Sequence, residues 1–523
     1  MGISMRRVRA FTAASACVVL GSCGGGSDAP RVAGVDAQTC SPNNPMRGDA
    51  KSATRAGTLG TEKAWLRDYI DRDYLWYREV PSVDASAAPY SNDTANGFYA
   101  SIENYFDALL TPAITASGKL KDQFSFTYPT AAWDALINGG STAGWGVEWH
   151  YDTVDSTTGT MNGIRIAFVH DASPAADIGL QRGDRLVSID GLFASATNDP
   201  TQYNALLDRL YPAAGRTVDF VVQRGAAQLT RRATSANVTL TTTRYRTLDV
   251  GGQKVGYLLF NDHLANAEAG LTAAVDSMNT AGVRDLVLDL RYNGGGYLYI
   301  ASQLAYMIAG AGAISGRPFE QTIFSDKRKA ENEIAAFESR SCNAAASNGR
   351  LVCTTNTPLP TLALQRVYVL VSGSTCSASE AIVNGLRGID VDVRLIGSTT
   401  CGKPYGFFGQ DNCGITYFPI EFQGVNAKGF GDYADGFVPG GGGASGVPGC
   451  AADDDLDHAL GDTTEGQLAV ALAYRASIDA GAPACPPLAM ARRTAPLAAG
   501  SEPRGLVFKP PVLTNANGRM PAR

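Results

Sequence analysis

Residues 286–304 read Leu-Val-Leu-Asp-Leu-Arg-Tyr-Asn-Gly-Gly-Gly-Tyr-Leu-Tyr-Ile-Ala-Ser-Gln-Leu. The first five residues form a short, nearly continuous apolar run, which predicts a strand that is buried on both faces. Three glycines follow, and after them apolar residues recur at the spacing of one helix face. A strand that passes through glycines into a helix is a building unit of α/β proteins, and its turn presents backbone N–H groups to which an anion can bind.

A second strand–turn–helix unit follows further along the chain. Val367–Val371 predicts a strand, and residues 372–380 then read Ser-Gly-Ser-Thr-Cys-Ser-Ala-Ser-Glu. The apolar spacing after this turn predicts a helix that begins near Ser377. The hydroxyl of Ser377 would lie at the positive end of the helix dipole, and the N–H of Ala378 would lack an intrahelical acceptor. Both features suit a nucleophile with an oxyanion donor beside it.

A purely structural interpretation of this turn is also open. Ser377 and Glu380 have the spacing of a capping box, which many helices carry without any catalytic role. Taken by themselves, these two residues favour the cap over an active site.

Lys403 favours an active site over a simple helix cap. It is the only charged residue in the stretch 397–410, so it does not resemble a lysine on a solvated helix face. A lysine that acts as a base near neutral pH must have its pKa lowered from about 10.4 by burial. The neighbouring Tyr405, Phe407 and Phe408 are consistent with an apolar site. Serine–lysine dyads are an accepted variant of triad chemistry, so we predict Ser377 as the nucleophile and Lys403 as its base.

The glycine turn after Asn293 has three interpretations. Phosphate binding is disfavoured, because the chain has no G-x-x-x-x-G-K-[ST] motif and the glycines lack G-x-G-x-x-G spacing. The turn could simply need positive φ angles, which glycine adopts freely. Donation of N–H groups from Gly295 or Gly296 to an oxyanion fits the serine and lysine better.

Composition limits the class of protein. The chain has 523 residues, is 45% hydrophobic and 18% charged, and has a formal net charge of −6. These values indicate a globular protein of two or three domains and give no overall electrostatic attraction for nucleic acid. No run of about 18 apolar residues follows the first thirty positions, so no membrane-spanning helix is predicted there.

The N-terminus has the pattern of an export signal. Arg6, Arg7 and Arg9 precede a short apolar run, Phe11–Leu20, and Leu-Gly-Ser-Cys then ends at Cys23. This resembles the lipobox of bacterial lipoproteins, although an ordinary secretory signal cut nearby is the alternative. We predict a signal peptide over 1–22, lipidation of Cys23, a flexible tether over 23–60, and a periplasm-facing location on a membrane of the bacterial envelope.

Eight cysteines remain beyond Cys23, an even number that predicts disulfides in an oxidising compartment. Cys342 and Cys353 could close a hairpin, Cys401 and Cys413 bracket the lysine, and a Cys376–Cys401 bridge is also possible, so the connectivity stays open. The chain has no C-x-x-C pair and only four histidines, so we predict neither a metal nor another cofactor. A Cys376 nucleophile is disfavoured because no histidine lies nearby in sequence.

The regions before the α/β core are predicted to form two units. Residues 61–129 contain aromatic residues at helical spacing and indicate a small helical region. Residues 130–242 resemble a PDZ domain on two segments, Ser173-Pro-Ala-Ala-Asp-Ile-Gly-Leu180 and Arg182-Gly-Asp-Arg-Leu-Val-Ser-Ile-Asp-Gly191. This resemblance implies peptide binding by strand addition, with the carboxylate held by the loop of Gly144, Trp145, Gly146 and Val147. A PDZ domain used only as a spacer or lid is the alternative.

The ordered set of segments over 62–475 resembles the C-terminal processing peptidases, a bacterial and chloroplast family of serine endopeptidases. The resemblance implies a multidomain α/β protein with an N-terminal helical region, a PDZ domain and a crotonase-like peptidase core over 243–480. It also implies protein or peptide substrates recognised by their C-terminal tails. In that family the matching positions make Ser377 the nucleophile, Lys403 the base, Glu380 an aid to the lysine, and Ala378 with Gly295 or Gly296 the oxyanion hole.

Two departures from the family pattern leave questions open. Many members have glutamine four residues after the lysine, where this chain has Phe407, so the third catalytic partner is not identified. The interval between serine and lysine is one residue longer than usual, which we assign to the loop 388–392. The proline-rich, basic segment 486–523 is predicted to be disordered. The alternative function is a non-catalytic envelope protein that binds chain termini or apolar ligands.

Overall fold

A computed structural model describes residues 34–155, 158–342 and 357–487 and the backbone of residues 507–508. The predicted signal peptide and Cys23 lie outside these residues. None of the helices within the described ranges has the length and apolar character needed to cross a membrane.

The helices are distributed along the whole described chain. The α-helices are α1 (Leu59–Asp73), α2 (Phe98–Ala108), α3 (Thr130–Ile137), α4 (Pro174–Asp177), α5 (Pro200–Leu210), α6 (Ala267–Ala281), α7 (Leu298–Ile314), α8 (Ala378–Gly388) and α9 (Gly466–Asp479). Short 3₁₀ helices cover Arg47–Asp49, Tyr77–Glu79, Ala88–Tyr90 and Asp326–Glu331.

The strands before the core belong to the N-terminal and middle regions. They are β1 (Thr39–Cys40), β2 (Arg55–Ala56), β3 (Phe126–Pro129), β4 (Ser141–Gly144), β5 (Val147–His150), β6 (Thr153–Asp155), β7 (Thr160–Asn162), β8 (Arg165–Val169), β9 (Arg185–Ile189), β10 (Leu192–Phe193), β11 (Thr217–Arg224), β12 (Ala227–Thr234) and β13 (Ala236–Thr239).

The strands of the core region follow, together with one strand near the C-terminus. They are β14 (Thr243–Val250), β15 (Gln253–Phe260), β16 (Asp285–Asp289), β17 (Glu320–Phe324), β18 (Glu333–Ala335), β19 (Arg366–Val371), β20 (Asp392–Gly397), β21 (Tyr405–Gly406), β22 (Gln410–Asn412), β23 (Ile415–Phe418), β24 (Phe422–Val425), β25 (Val438–Pro439), β26 (Gly446–Val447), β27 (Gly449–Ala451) and β28 (Val507–Phe508).

The central sheet of the core has the strand order β14-β15-β16-β19-β20-β27. Strands β15, β16, β19, β20 and β27 run parallel, and β14 is an antiparallel edge. Helices α6, α7 and α8 contribute apolar residues to a cluster on one face, and α9 contributes to a cluster on the other. Because helices cover both faces, β16 is fully buried, as its apolar run predicts. The mixed α/β, multidomain fold class is therefore confirmed.

The middle region has its own sheet, with the order β12-β11-β9-β8-β5-β28. Helix α5 packs on this sheet through the indoles of Trp145 and Trp149, which donate hydrogen bonds to the carbonyls of Arg209 (2.8 Å) and Leu210 (3.4 Å). These bonds place the C-terminal end of α5 next to the start of β5.

The N-terminal region is joined to the core, and the predicted tether is wrong for residues 36–60. Cys40 is fully buried and forms a disulfide with Cys413, and the backbone N–H of Gln38 donates to the side chain of Asn412 (2.6 Å). Further along, β3 pairs with β23 in one sheet. These contacts hold residues 36–60 against the core, so the segment is not a solvated linker.

The segment predicted to be disordered, 486–523, lies mostly outside the described residues. Its described part includes β28, whose backbone pairs antiparallel with β5, with Val507 opposite His150 and Phe508 opposite Trp149. The prediction of disorder is therefore wrong for this pair of residues.

A buried charge network fixes the end of β16, where the glycine turn begins. The guanidinium of Arg291 is fully buried and donates to Asp289 (2.9 Å), Glu465 (2.6 Å) and Asp454 (2.9 Å). Neighbouring cations and the hydroxyl of Tyr292 hold the pKa of Asp454 well below its ordinary value, although burial opposes this shift. The network joins the strand that carries the glycine turn to the start of α9.

We expect Arg291→Leu to lower the free energy of unfolding by about 3–5 kcal/mol, because it leaves buried carboxylates without their cation. The free energy should be measured by urea unfolding at pH 7. Arg232, which pairs with Asp219 on the surface, provides a matched control. Arg232→Leu should change stability little, since exposed ion pairs contribute little. Equal effects of the two substitutions would contradict the role assigned to the network.

Candidate active site

Ser377 has an unusual backbone conformation at the start of α8. Its φ is 55° and its ψ is −118°, a region that residues with a Cβ rarely adopt. Such a conformation costs about 1–3 kcal/mol and persists only where the surrounding structure enforces it. Strain of this kind clusters at functional sites, and nothing in the residue pattern predicted it.

The buried carboxylate of Glu380 binds the turn that contains Ser377 and the loop that contains Lys403. One oxygen, Oε2, accepts the N–H of Ser377 (3.1 Å) and the N–H of Lys403 (2.8 Å). The other, Oε1, accepts the N–H of Gly402 (2.9 Å) and the hydroxyl of Thr400 (2.5 Å). Burial raises the pKa of Glu380, and these four donors oppose that shift. Glu380 therefore does more than cap the helix, because it also fixes the backbone of the lysine loop, residues 398–403.

Lys403 is buried, with 3% of its surface exposed. Its Nζ lies 4.4 Å from the ring centroid of Phe407 and 5.3 Å from that of Phe124. Burial lowers the pKa of Lys403 to about 7, against the smaller opposing effects of Asp122 and Glu380. Phe407, the departure from the family pattern, thus supplies part of the apolar surface around the amine. Phe408, which the sequence also suggested, is 55% exposed.

Asp122 is a buried carboxylate near Lys403 that the sequence analysis missed. It accepts hydrogen bonds from the hydroxyls of Tyr74 (2.7 Å) and Ser125 (2.6 Å) and from the backbone N–H of Phe124 (3.0 Å). Its sequence context did not indicate a functional residue, because an Asp-x-x-Ser turn is common. The N-terminal region therefore contributes both an aromatic wall and a negative charge to the surroundings of the lysine.

Two further links join the nucleophile turn, residues 372–377, to the lysine loop. Cys376 and Cys401 form a disulfide with a Cα–Cα distance of 5.2 Å. The N–H of Cys401 also donates to the carbonyl of Thr375 (3.1 Å). This pairing is one of those the sequence left open, and it makes Cys376 unavailable as a nucleophile. Cys450 and Cys485 form another disulfide, and Cys342 is also disulfide-bonded, with the suggested partner Cys353 outside the described residues.

The glycine turn lies directly against Ser377. A Cβ on Gly295 would be 2.8 Å from the Cβ of Ser377 and 3.1 Å from the nitrogen of Ala378, and the φ of Gly295 is 103°. The N–H of Gly295 donates to the side chain of Asn293 (3.0 Å). Within the described ranges, the N–H groups of Gly296 and Ala378 have no hydrogen-bond acceptor. Gly296 is therefore the better donor of the two glycines that the sequence suggested.

The predicted peptide-binding loop lies between β4 and β5 in the middle region, whereas Ser377 lies at the start of α8 in the core. Trp145 is buried, and Gly146 has a φ of 75° and accepts the N–H of His170 at its carbonyl (2.9 Å). The structure thus groups Ser377, Ala378, Glu380, Lys403, Gly295 and Gly296, while residues 144–147 form a separate feature at the start of β5.

Two clusters bring together the atom types that bind metals: Cys40, Glu62 and Cys413, and Cys376, Glu380 and Cys401. In each cluster the sulfurs are joined as a disulfide, so they are not thiolate ligands. The geometry of the described residues fits acyl transfer by side chains and backbone N–H groups.

Comparison with known families agrees with this geometry. Residues 254–406 match the model of peptidase family S41, and residues 61–126 match the S41 N-terminal domain. These two segments of the chain therefore resemble peptidase family S41. Both contribute to the site, since the first contains Ser377 and Lys403 and the second contains Asp122 and Phe124.

The relatives include proteins named for C-terminal processing. The chain is 27% identical over 233 residues to the carboxyl-terminal-processing protease of Picosynechococcus, covering 44% of this chain and 48% of the relative. It is 27% identical over 299 residues to the chloroplastic C-terminal processing peptidase of Tetradesmus obliquus, covering 54% and 56%. The chain thus spans about half the length of the curated relatives it matches.

A solved structure described as an S41 protease of Bacteroides fragilis shares the fold. The TM-score is 0.57 at 23% identity, over 80% of this chain and 97% of the other. At that identity the likeness supports a shared fold and gives no evidence about activity or substrate.

We expect Lys403→Met to raise the free energy of unfolding at pH 6. The folded protein holds this amine at a pKa of about 7, below its value in the unfolded chain, so the unfolded state binds the proton more tightly. The contribution of Lys403 to wild-type stability should therefore become less unfavourable between about pH 7 and 10.4, and the gain from Lys403→Met should shrink over the same interval.

Urea unfolding of the two proteins at several pH values tests this expectation. Lys254→Met, at an exposed site, is the matched control and should bring no gain at pH 6, because water solvates that side chain. A gain from Lys403→Met that does not change with pH would contradict the lowered pKa.

Proposed function

We propose that this chain is a serine endopeptidase that hydrolyses peptide bonds in protein or peptide substrates with a dyad of Ser377 and Lys403. One observation carries the proposal: a single buried carboxylate oxygen of Glu380 accepts the backbone N–H groups of both residues. The strained turn of Ser377 and the lowered pKa of Lys403 support it, because a nucleophile needs exposure and its base needs to be neutral. The match of residues 254–406 to the model of peptidase family S41 agrees with this chemistry.

The reaction follows from the arrangement of these groups. Neutral Lys403 takes the proton of the Ser377 hydroxyl, and the oxygen attacks a peptide carbonyl to form a tetrahedral intermediate. The N–H groups of Ala378 and Gly296 stabilise its oxyanion, as in other acyl-transfer enzymes. The lysine then protonates the leaving amine, and water releases the acyl group by the same steps.

Glu380 and Asp122 have distinct supporting roles in this proposal. Glu380 orients the two catalytic elements through their backbone. Asp122 provides a nearby negative charge that favours the lysinium formed during the reaction and keeps the pKa of Lys403 from falling further. Phe124 and Phe407 exclude water from the amine, so that it stays neutral near pH 7.

We assign residues 130–242 as a PDZ domain that binds the C-terminal tails of substrates, and residues 243–480 as a crotonase-like core. The edge of β5 pairs with an extended segment of this same chain, which supports binding by strand addition. The loop of Gly144, Trp145, Gly146 and Val147 stands at the start of that strand, where a PDZ domain holds a terminal carboxylate.

We further propose that the protein works on the periplasmic side of the bacterial envelope, with a lipid on Cys23 as its anchor. Disulfides among the described residues support an oxidising compartment. The alternative of a non-catalytic binding protein is not favoured, because such a protein has no need for a buried lysine beside a strained serine.

We expect Ser377→Ala and Lys403→Ala each to lower kcat on an unfolded protein substrate by about 10⁴-fold or more, as loss of a nucleophile or its base does elsewhere. For the wild type, kcat/KM should rise with pH through about 7, since the amine must lose its proton. Rates should be measured by release of peptide fragments from pH 5 to 9.

Ser379→Ala is the matched control for the serine, since its hydroxyl donates to the carbonyl of Asn293 and takes no part in the reaction. It should keep far more activity than Ser377→Ala. Equal cleavage by wild type and both dyad variants would refute the mechanism, and tight substrate binding without cleavage by any of them would favour a binding protein.

The PDZ assignment predicts that a free C-terminal carboxylate strengthens substrate binding. Amidation of the substrate's C-terminus should raise KM by about 10- to 100-fold, the value of lost hydrogen bonds to a charged group, with little change in kcat. Acetylation of the N-terminus of the same peptide is the control and should have no such effect. If both modified peptides have the KM of the unmodified peptide, residues 144–147 do not bind the substrate's terminal carboxylate.

A further inference from the structure

The nucleophile turn and the lysine loop are joined in three ways. The Glu380 carboxylate and the hydrogen bond from Cys401 to Thr375 are non-covalent. The Cys376–Cys401 disulfide is covalent, and it is the link that solution chemistry can break and remake without altering the sequence.

The position of this disulfide couples it to the dyad. Cys376 immediately precedes Ser377, and Cys401 precedes Lys403 by two residues. The N–H of Cys376 also donates to the carbonyl of Asn293 (3.1 Å), which contacts the glycine turn. Breaking the S–S bond can therefore move Ser377 through one peptide unit and Lys403 through two.

We propose that the Cys376–Cys401 disulfide positions Ser377 and Lys403 for reaction, and that its reversible reduction by a dithiol lowers peptidase activity. The inference rests on the proposed function. It assigns Cys376 and Cys401 as positioning residues, which act through their neighbours and do not touch substrate.

The redox step is an ordinary thiol–disulfide exchange. Cys401 is half-buried whereas Cys376 is buried, so the thiolate of a dithiol attacks the Sγ of Cys401 and Cys376 leaves as a thiolate that takes up a proton. The second thiol of the reductant then displaces Cys401 and closes the reductant's own disulfide. Two electrons pass to the protein, which gains two thiols, and the dithiol becomes a disulfide.

Reduction should alter the dyad without unfolding the protein. The four hydrogen bonds to Glu380 and the bond from Cys401 to Thr375 do not involve the S–S bond. The loop therefore stays folded but loses its covalent distance constraint. A misplacement of about 1 Å at reacting groups can lower a rate by about 10²-fold. A looser loop also admits water to Lys403, which raises its pKa towards the ordinary value.

The test compares the full chain with two double variants. Cys376→Ala/Cys401→Ala removes the link, and Cys450→Ala/Cys485→Ala removes a disulfide that joins β27 to the segment after α9. The first variant should lose about 10- to 100-fold in kcat with KM unchanged, and the rise of kcat/KM with pH should move above 7. The second should keep wild-type kcat, and dithiothreitol should inhibit it as it inhibits the wild type.

Two outcomes overturn the proposal. One is wild-type kcat and an unchanged pH profile in Cys376→Ala/Cys401→Ala. The other is a loss of kcat in that variant with no movement of the pH profile, which indicates a structural role alone.

Graded reduction of the wild type covers the case in which the double variant fails to fold. Activity should fall in step with the fraction of Cys376–Cys401 reduced, measured by differential alkylation and mass spectrometry, and should return on reoxidation. Full activity with that bond reduced overturns the proposal.

Ser377→Ala, assayed alongside, separates this inference from the proposed function. If Ser377→Ala cleaves as well as wild type, the proposed function itself fails. If Ser377→Ala is inactive and the disulfide-free enzyme keeps wild-type kcat, the dyad stands and the redox inference alone fails.

Discussion

The site depends on one buried carboxylate. Glu380 accepts N–H groups from Ser377, Gly402 and Lys403 and the hydroxyl of Thr400, so two segments that are distant in sequence meet at one side chain. A buried carboxylate is costly unless donors surround it, and here all four donors come from the two elements that carry Ser377 and Lys403. The requirement to satisfy one charge thus fixes the backbone at both residues of the proposed dyad.

The surroundings of Lys403 come from regions that are far apart in the chain. Phe407 lies four residues after the lysine, whereas Phe124 and Asp122 come from the N-terminal region. The Cys40–Cys413 disulfide and the pairing of β3 with β23 join that region to the core. The N-terminal region is therefore part of the active site and not a detachable module. Its contacts explain why the stretch before α1 is ordered although its composition resembles a linker.

Local patterns predicted the α/β core, the start of α8 and the burial of Lys403. Each depends on residues close in sequence, where periodicity and charge distribution are informative. The role of Asp122, the partners of the Glu380 carboxylate and the choice of Gly296 over Gly295 depend on tertiary contacts that no local pattern encodes. The backbone strain at Ser377 belongs to the same class, because such a conformation persists only where the surrounding structure enforces it.

The packing of the N-terminal region around Lys403 has a consequence for the newly synthesised chain. A lysine in an unfinished or partly folded chain is solvated, with a pKa of about 10.4, and holds its proton at neutral pH. Burial in the folded protein, where Phe124 lies against the amine, lowers the pKa of Lys403 to about 7. Under the proposed mechanism the amine therefore becomes a base only once the chain has folded, so folding itself is the activating step.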